Sequence, residues 1–486
     1  MTQTTAESQI PLGVRVGQLA AERGDRVAVV SGDVARTWTE LEERTNRLAR
    51  ALEQRGVQQG SLVTIGVPNS VEFVETCIAC WKLGAVPQPV SSRLPALELQ
   101  AIVDLADPPV VVASTPIEVT RTVVDVDELL HASDDTSPLP PRISPAWKAP
   151  TSGGSTGRPK LIVAGQPGTY ENFSTGLWRH TPDGVTIMPG PMYHNGPFTC
   201  SFSGLLLGST LVLMPRFDAE ETLRLIEKHG GTWVYLVPAM MGRIWRLPED
   251  VRTRYDLSSL ETVWHLAAPC PEWLKQAWID WLGPEKIWEL YAGTEAQAGT
   301  VISGTEWLAH RGSVGRVLYG EMKILDPDGN ELPPGEVGEV FLRRTPGLPP
   351  SYRYIGAEAR KRGDWESLGD VGWMDEDGYL YLADRRTDMI LVGGANVYPA
   401  EVESALDEHP LVASSCVIGL PDDDLGQRVH ALIQAPRDID LDELRVHLNE
   451  RLVRYKQPRT FEIVDQPLRD EAGKVRRSQL AADRTR

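Results

Sequence analysis

The chain is poor in the features that mark a protein for a membrane, for export or for nucleic acid. No apolar run approaches the roughly 20 residues that a bilayer-spanning helix requires. Residues 1–11 lack the basic-then-apolar pattern of an export signal, and the last five residues form no peroxisomal address. A cytoplasmic location is therefore expected. Cysteine is scarce, with five residues at Cys77, Cys80, Cys200, Cys270 and Cys416. Cys77 and Cys80 have redox-motif spacing, but they sit in an apolar helical stretch, 71–83, and no second pair completes a zinc site. Buried packing is expected of them. Positive charge is in deficit. The net charge of −18 gives no basic field for nucleic acid, so any anionic substrate must be met by local cations. There is no internal repeat. A length of 486 residues is too great for one hydrophobic core, so two or more domains are expected.

What is present is an alternation of strand and helix signals. Residues 26–30 read as a strand. Thr39 and Glu42 read as a capping box opening a helix with Leu41, Thr45, Leu48 and Leu52 on one face. Strands at 61–67 and 108–112 flank the Cys77 helix. After residue 160 the pattern resumes with a helix at 219–228, ended by Gly230-Gly231, and a strand at 232–237. Residues 320–345 read as antiparallel β with turns at Asp326-Pro-Asp-Gly329 and Pro333-Pro-Gly335. The last hundred residues read as a small α+β unit: a helix from Pro399, a strand at 411–418, a leucine stripe at Leu441, Leu444, Leu448 and Leu452, and a strand at 460–464. Parallel or mixed sheets layered by helices follow from this order.

The densest chemistry lies in Thr151-Ser-Gly-Gly-Ser-Thr-Gly-Arg-Pro-Lys160. Its glycines let backbone N–H groups turn toward an anion, its hydroxyls add donors, and Arg158 and Lys160 add charge. The segment suits a polyphosphate. It is not the common NTPase loop, because Pro159 separates Arg158 from Lys160 and Leu161 stands where a metal-binding hydroxyl would be needed. By spacing alone a polar surface turn accounts for it equally well.

The segment resembles the phosphate loop of the adenylate-forming enzymes: acyl-CoA synthetases, peptide-synthetase adenylation domains and beetle-type luciferases. The resemblance continues in order at Tyr291-Ala-Gly-Thr-Glu295, Gly312-Ser-Val-Gly-Arg316, Gly369-Asp-Val-Gly-Trp373, Asp384-Arg-Arg-Thr-Asp-Met-Ile390, Gly393-Gly-Ala-Asn-Val-Tyr-Pro-Ala-Glu401 and Gly473-Lys-Val-Arg-Arg477. It implies an α/β plus α+β fold: a large N-terminal lobe of mixed sheets layered by helices over residues 1–385, a hinge at 386–388, and a mobile α+β domain over 389–486. The implied reaction activates a carboxylic acid with ATP and Mg²⁺ as an acyl-adenylate, then transfers the acyl group to coenzyme A.

Residue roles follow from the same resemblance. Ser152, Gly153, Gly154, Ser155, Thr156, Gly157, Arg158 and Lys160 cradle the phosphates. Thr294 contacts a phosphate and Glu295 holds Mg²⁺, which keeps much of its water shell and needs few protein carboxylates. Tyr291 stacks on adenine, Ala267, Ala268 and Pro269 line the nucleotide edge, and Asp370 accepts from the ribose diol. Arg385 binds ribose or phosphate. Lys474 is the catalytic lysine, carried on a domain whose rotation inserts and withdraws it. Thr387 takes the hinge position, and Gly393 and Gly394 border the entering thiol. His194 matches the acyl gate, with Trp264, His265, Met240 and Phe198 as wall residues. No aspartate lies between residues 192 and 203 to meet an α-ammonium, so an acid without an α-amino group is expected.

The chain departs from the family pattern at Gly153, Leu161, Ala292, Leu368 and Thr387, none of which removes a charged catalytic group. Its Gly-Gly-Ser-Thr-Gly loop is most similar to bacterial CoA ligases for bulky acids, such as the bile-acid type. Alternatives are a stand-alone enzyme loading a carrier-protein phosphopantetheine, a member running only the thioester half-reaction, and a luciferase-type oxygenase. Only twelve residues follow Lys474, so a carrier is expected to be separate. A homodimer is left open.

Overall fold

The computed structural model describes residues 9–114, 117–153, 159–173, 176–385, 388–392, 395–422, 424–471 and 473–485, with the side chains of 153, 384 and 385 excepted. The expected Thr39 capping box lies two residues earlier. Thr37 accepts from the Glu40 N–H at 3.2 Å while the Glu40 carboxylate accepts from the Thr37 N–H at 2.8 Å. Threonine-x-x-glutamate occurs twice here in overlapping frames, and burial of Trp38 at the first helical position selects the earlier one. Glu42 instead accepts from Lys82 Nζ at 2.5 Å. The helix Trp38–Gln54 buries Leu41, Thr45, Leu48 and Leu52 as expected.

The frame of the large lobe is a 14-stranded mixed sheet. In one half, Val27–Ser31, Thr210–Leu213, Val185–Met188, Trp233–Leu236, Thr262–Leu266 and Ile287–Ala292 run parallel to their neighbours. Beyond Ile287–Ala292 the pairing turns antiparallel through Gly299–Ser303, Ser313–Tyr319, Tyr379–Arg385, Trp365–Met374, Gly338–Arg343 and Glu321–Leu325. A parallel four-stranded sheet is centred on Leu62–Gly66 and Val110–Ala113. The helix Val71–Lys82 packs Cys77 and Cys80 fully inside, where burial pushes both thiols up. The cysteines are core residues, as expected.

The strands Ser414–Asp422, Gly426–Gln434, Thr460–Ile463, Ile390–Val392 and Ala395–Val397 form a separate five-stranded sheet. Its own apolar cluster includes Val402, Leu406, Val417, Ala431, Leu444 and Leu448. The strand expected from 411 begins at Ser414, because Leu411 points to solvent. Leu452 lies past the end of Leu441–Asn449 yet stays buried. Among the described residues no helix is long and apolar enough to cross a membrane.

Candidate active site

Parallel strands end together, and loops leaving their carboxyl ends are where open α/β sheets gather ligand-binding groups. Four segments leave that edge. His194 follows Val185–Met188, Val237 and Ala239 follow Trp233–Leu236, Ala267 follows Thr262–Leu266, and Thr294 and Glu295 follow Ile287–Ala292. Ala267 has φ 77°. A side chain with a Cβ held in the left-handed region costs about 1–3 kcal/mol and marks a position fixed by its surroundings. Ala267 and Pro269 are exposed at this edge, and Ala268 is half-buried.

Two polar clusters are already assembled. In the first, the Tyr291 hydroxyl donates to Asp370 Oδ2 at 2.7 Å. Tyr291 comes from the last parallel strand and Asp370 from the antiparallel strand Trp365–Met374. In the second, the Tyr354 hydroxyl donates to Glu295 Oε1 at 2.5 Å, and Lys160 Nζ lies 3.5 Å from the same oxygen. Lys160 also sits 3.8 Å over the Tyr354 ring. The three-stranded sheet explains this meeting. Pro159–Ala164 pairs with Thr151–Gly153 on one side, placing Ser152 opposite Lys160, and with Tyr352–Ile355 on the other. Burial and the Glu295 charge both push the Tyr354 phenol up, so it donates rather than ionises. Gly293 is a close approach: a Cβ there would lie 2.4 Å from Leu368 Cδ1 and 2.9 Å from Glu295 Oε2. Leu368 thus packs on the turn that carries Thr294 and Glu295.

Lys474 arrives from the other lobe. The loop is closed by Asp470, whose carboxylate accepts from the Lys474 N–H at 2.9 Å. Gly473, at φ 77°, seats against the large lobe, 3.3 Å from Val237 Cγ2 as measured from a built Cβ. Arg93 pairs with Glu471, Arg476 lies 3.7 Å from Glu98, and Arg246 donates to the Asp407 carbonyl at 2.7 Å. These contacts bring Lys474 close enough for its charge to be felt at His194. Burial first, and that charge second, lower His194 to about 3. The imidazole is neutral, and its Nε2 is buried without a hydrogen-bond partner.

Of the expected residues, Tyr291 meets Asp370, Lys160 lies opposite Ser152 and meets Glu295, the Lys474 charge reaches His194, and Ala267, Ala268, Pro269 and Thr294 follow parallel-strand ends. Gly154, Ser155, Thr156, Gly157, Arg158, Thr387, Gly393 and Gly394 lie outside the described residues, as does the side chain of Arg385. The expected wall residues are packed as follows. Phe198 packs among Phe73, Trp81, Trp147 and Phe202. Trp264 donates to the Trp178 carbonyl at 3.1 Å, and His265 is wholly buried 3.8 Å from Glu289. Met240 is 3% exposed. All four are buried.

Two groups escaped the sequence reading. Tyr354 has no motif and is recruited only by strand pairing. Lys148 is 6% exposed in the apolar segment leading to the phosphate loop. Its Nζ donates to Asn195 Oδ1 and, at 2.7 Å, to Thr199 Oγ1. A lysine among Ala146, Trp147, Ala149 and Pro150 was the available signal.

The chain matches the family model of AMP-binding enzymes over residues 17–352, and that of the AMP-binding enzyme C-terminal domain over residues 401–474. Feruloyl-CoA synthase of an Amycolatopsis species is 33% identical over 473 residues, covering 93% of this chain and 95% of that protein. The 2-succinylbenzoate–CoA ligase of Bacillus licheniformis is 29% identical over 479 residues, covering 94% and 96%. The structure of o-succinylbenzoate CoA synthetase from Bacillus subtilis with its acyl-adenylate OSB-AMP aligns at a TM-score of 0.82 and 27% identity, covering 96% of this chain and 97% of that one. The same synthetase with ATP and a magnesium ion aligns at 0.79 and 26%, covering 96% and 98%. The chain belongs to the AMP-binding enzyme family and is an enzyme of the adenylate-forming superfamily.

Proposed function

We propose that this enzyme is an AMP-forming acid–CoA ligase whose acid lacks an α-amino group. Thioester formation from a free carboxylate is uphill, so the carboxylate first attacks the α-phosphorus of ATP and pyrophosphate leaves. Two like-charged groups must approach, and preorganised cations and donors lower that barrier most. The observation that carries the reading is the meeting of segments far apart in sequence: the Lys474 charge reaches His194, and Lys160 stands 3.5 Å from Glu295, which leaves the same strand edge as His194.

In this reading Lys474 spans the attacking carboxylate and an α-phosphate oxygen. Ser152, Lys160 and Thr294, with residues 153–158, take the leaving phosphates. Asp370 accepts from the ribose, held in place by Tyr291. Glu295 fits a divalent cation, since an ammonium already stands 3.5 Å from its carboxylate; Mg²⁺ there would neutralise charge on the departing pyrophosphate. His194, neutral, borders the acyl group. Residues 389–486 then swivel about 386–388, withdrawing Lys474 so that the CoA thiol reaches the acyl-adenylate past Gly393 and Gly394 and AMP leaves.

Acid-dependent exchange of labelled pyrophosphate into ATP tests the first step. CoA-dependent AMP release, over fatty, aromatic and polycyclic acids without α-amino groups, tests the second. Exchange and release with at least one such acid are expected. Exchange with none overturns the reading, and transfer to a carrier protein but not to CoA overturns the acceptor.

A further inference from the structure

Lys148 is a buried lysine with no carboxylate beside it among the described residues. Burying a cation is costly unless an anion or strong acceptors compensate. An ammonium has three N–H donors. Two meet Asn195 and Thr199, and the ammonium also lies 4.0 Å from the centre of the Trp147 ring. Burial lowers Lys148 to about 7.

Its location is not solid core. Asn195 and Thr199 are four residues apart, hence on one face of the helix Asn195–Leu207, and both are partly open, whereas Phe198 and Cys200 between and beside them are shut. The helix starts at the strand edge described above. His194 caps this helix, and a Cβ on Gly196 would touch the Tyr235 hydroxyl at 2.9 Å and Leu266, next to Ala267, at 3.0 Å. The first helical turn bears no acidic residue, so the helix dipole adds to the lysine charge rather than cancelling it. Beside it, His194 Nε2 is buried and unpartnered. Lys148 and His194 are thus two buried polar groups at the start of one helix, the first held by uncharged acceptors and the second with a ring nitrogen unpartnered.

Resting on the ligase reading above, we infer that the Lys148 ammonium docks an oxygen acceptor carried by the acid itself. The substrate class this selects is an acid bearing a ketone, phenolate or second carboxylate, in preference to a plain hydrocarbon acid. A site built to meet such an oxygen rejects the analogue lacking it, because its buried donor is then left unpaired.

Two non-hydrolysable acyl-adenylate mimics test this, the sulfamoyl adenosines of 4-oxocyclohexanecarboxylate and of cyclohexanecarboxylate. Calorimetry on the full-length protein should show the oxo mimic binding about tenfold or more tightly. Lys148→Met should abolish the difference by weakening only the oxo mimic, and Lys148→Arg should restore part of it. Equal affinities in the wild type overturn the inference while leaving the ligase reading standing. An equal fold-loss for both mimics in Lys148→Met, leaving the wild-type preference in place, makes Lys148 a structural pin and also overturns it. Binding of neither mimic by the wild type overturns the ligase reading, and the inference falls with it.

Discussion

In the proposed ligase site, the nucleotide end and the acyl end are built on opposite principles. At the nucleotide end the polar groups satisfy one another before any ligand arrives. Tyr291 holds Asp370 at 2.7 Å, while Tyr354 and Lys160 hold Glu295 at 2.5 and 3.5 Å. Such pairs fix rotamers, so the functional carboxylates are aimed in advance and little reorganisation remains for the reaction itself. At the acyl end the polar groups are left wanting. His194 Nε2 has no partner, and Lys148 has hydroxyl and amide acceptors but no anion. A conserved reaction calls for a rigid receptor; the choice of acid can be delegated to groups whose missing partner is the ligand.

The sharpest way to break this comparison is at Lys474, which belongs to neither end and serves both. Lys474→Ala should lower pyrophosphate exchange by ~10²-fold or more, the value of one preorganised charge, and leave transfer from synthetic acyl-adenylate to CoA nearly intact. Equal loss in both half-reactions contradicts a lysine that leaves between steps. Next comes the positioning of Glu295. Tyr354→Phe should weaken apparent Mg²⁺ affinity roughly 10-fold or more, as loss of an outer partner of a metal-holding carboxylate does, with the acid KM unchanged. A change in acid KM alone would place Tyr354 at the wrong end of the cleft. Asp370→Asn should raise the ATP KM about tenfold, the value of one charged hydrogen bond. If kcat fell and KM stayed fixed, a ribose contact would be ruled out.

The smallest effect concerns pH. Burial lowers His180 and His194 to about 3 and His265 to about 4. The unfolded chain protonates its histidines near 6.5. Between pH 6.5 and about 4 the unfolded state therefore binds more protons than the folded one, so stability present at neutral pH is lost on acidification. Tm should fall by several degrees from pH 7.5 to 5, and His265→Gln should flatten that slope. Because His194 stays neutral throughout, acid-dependent kcat/KM should show no limb from it between pH 5 and 8. An imidazole limb near 6.5, lost in His194→Ala, would reverse its assignment as an uncharged gate.

The same contrast explains what was legible in the sequence. Nucleotide-end residues are read easily because each sits in a short contiguous motif at a strand end, where a phosphate or ribose demands particular side chains in sequence. Tyr291 meets Asp370, and Lys160 meets Glu295, although each pair is far apart in sequence. Tyr354 was invisible because its position depends on Tyr352–Ile355 pairing with Pro159–Ala164, nearly two hundred residues away. The acyl walls are hard to read for a related reason. Phe198, Trp264, His265 and Met240 are large residues near the right motifs, but side-chain direction, not proximity in sequence, decides whether a residue faces a cleft or a core. Local helix starts failed more mildly: the Thr37 cap and the Thr39 cap differ only in which frame buries Trp38.

The most direct test of a preassembled nucleotide end joined to an unsatisfied acyl end is calorimetric titration of the full-length protein with a ring-acid acyl sulfamoyl adenosine, against AMP alone. The account predicts one site per chain and an affinity at least about 100-fold above that for AMP, as expected of a reaction-intermediate mimic that engages both ends. Equal affinity for the mimic and for AMP, or no heat from either, would contradict it.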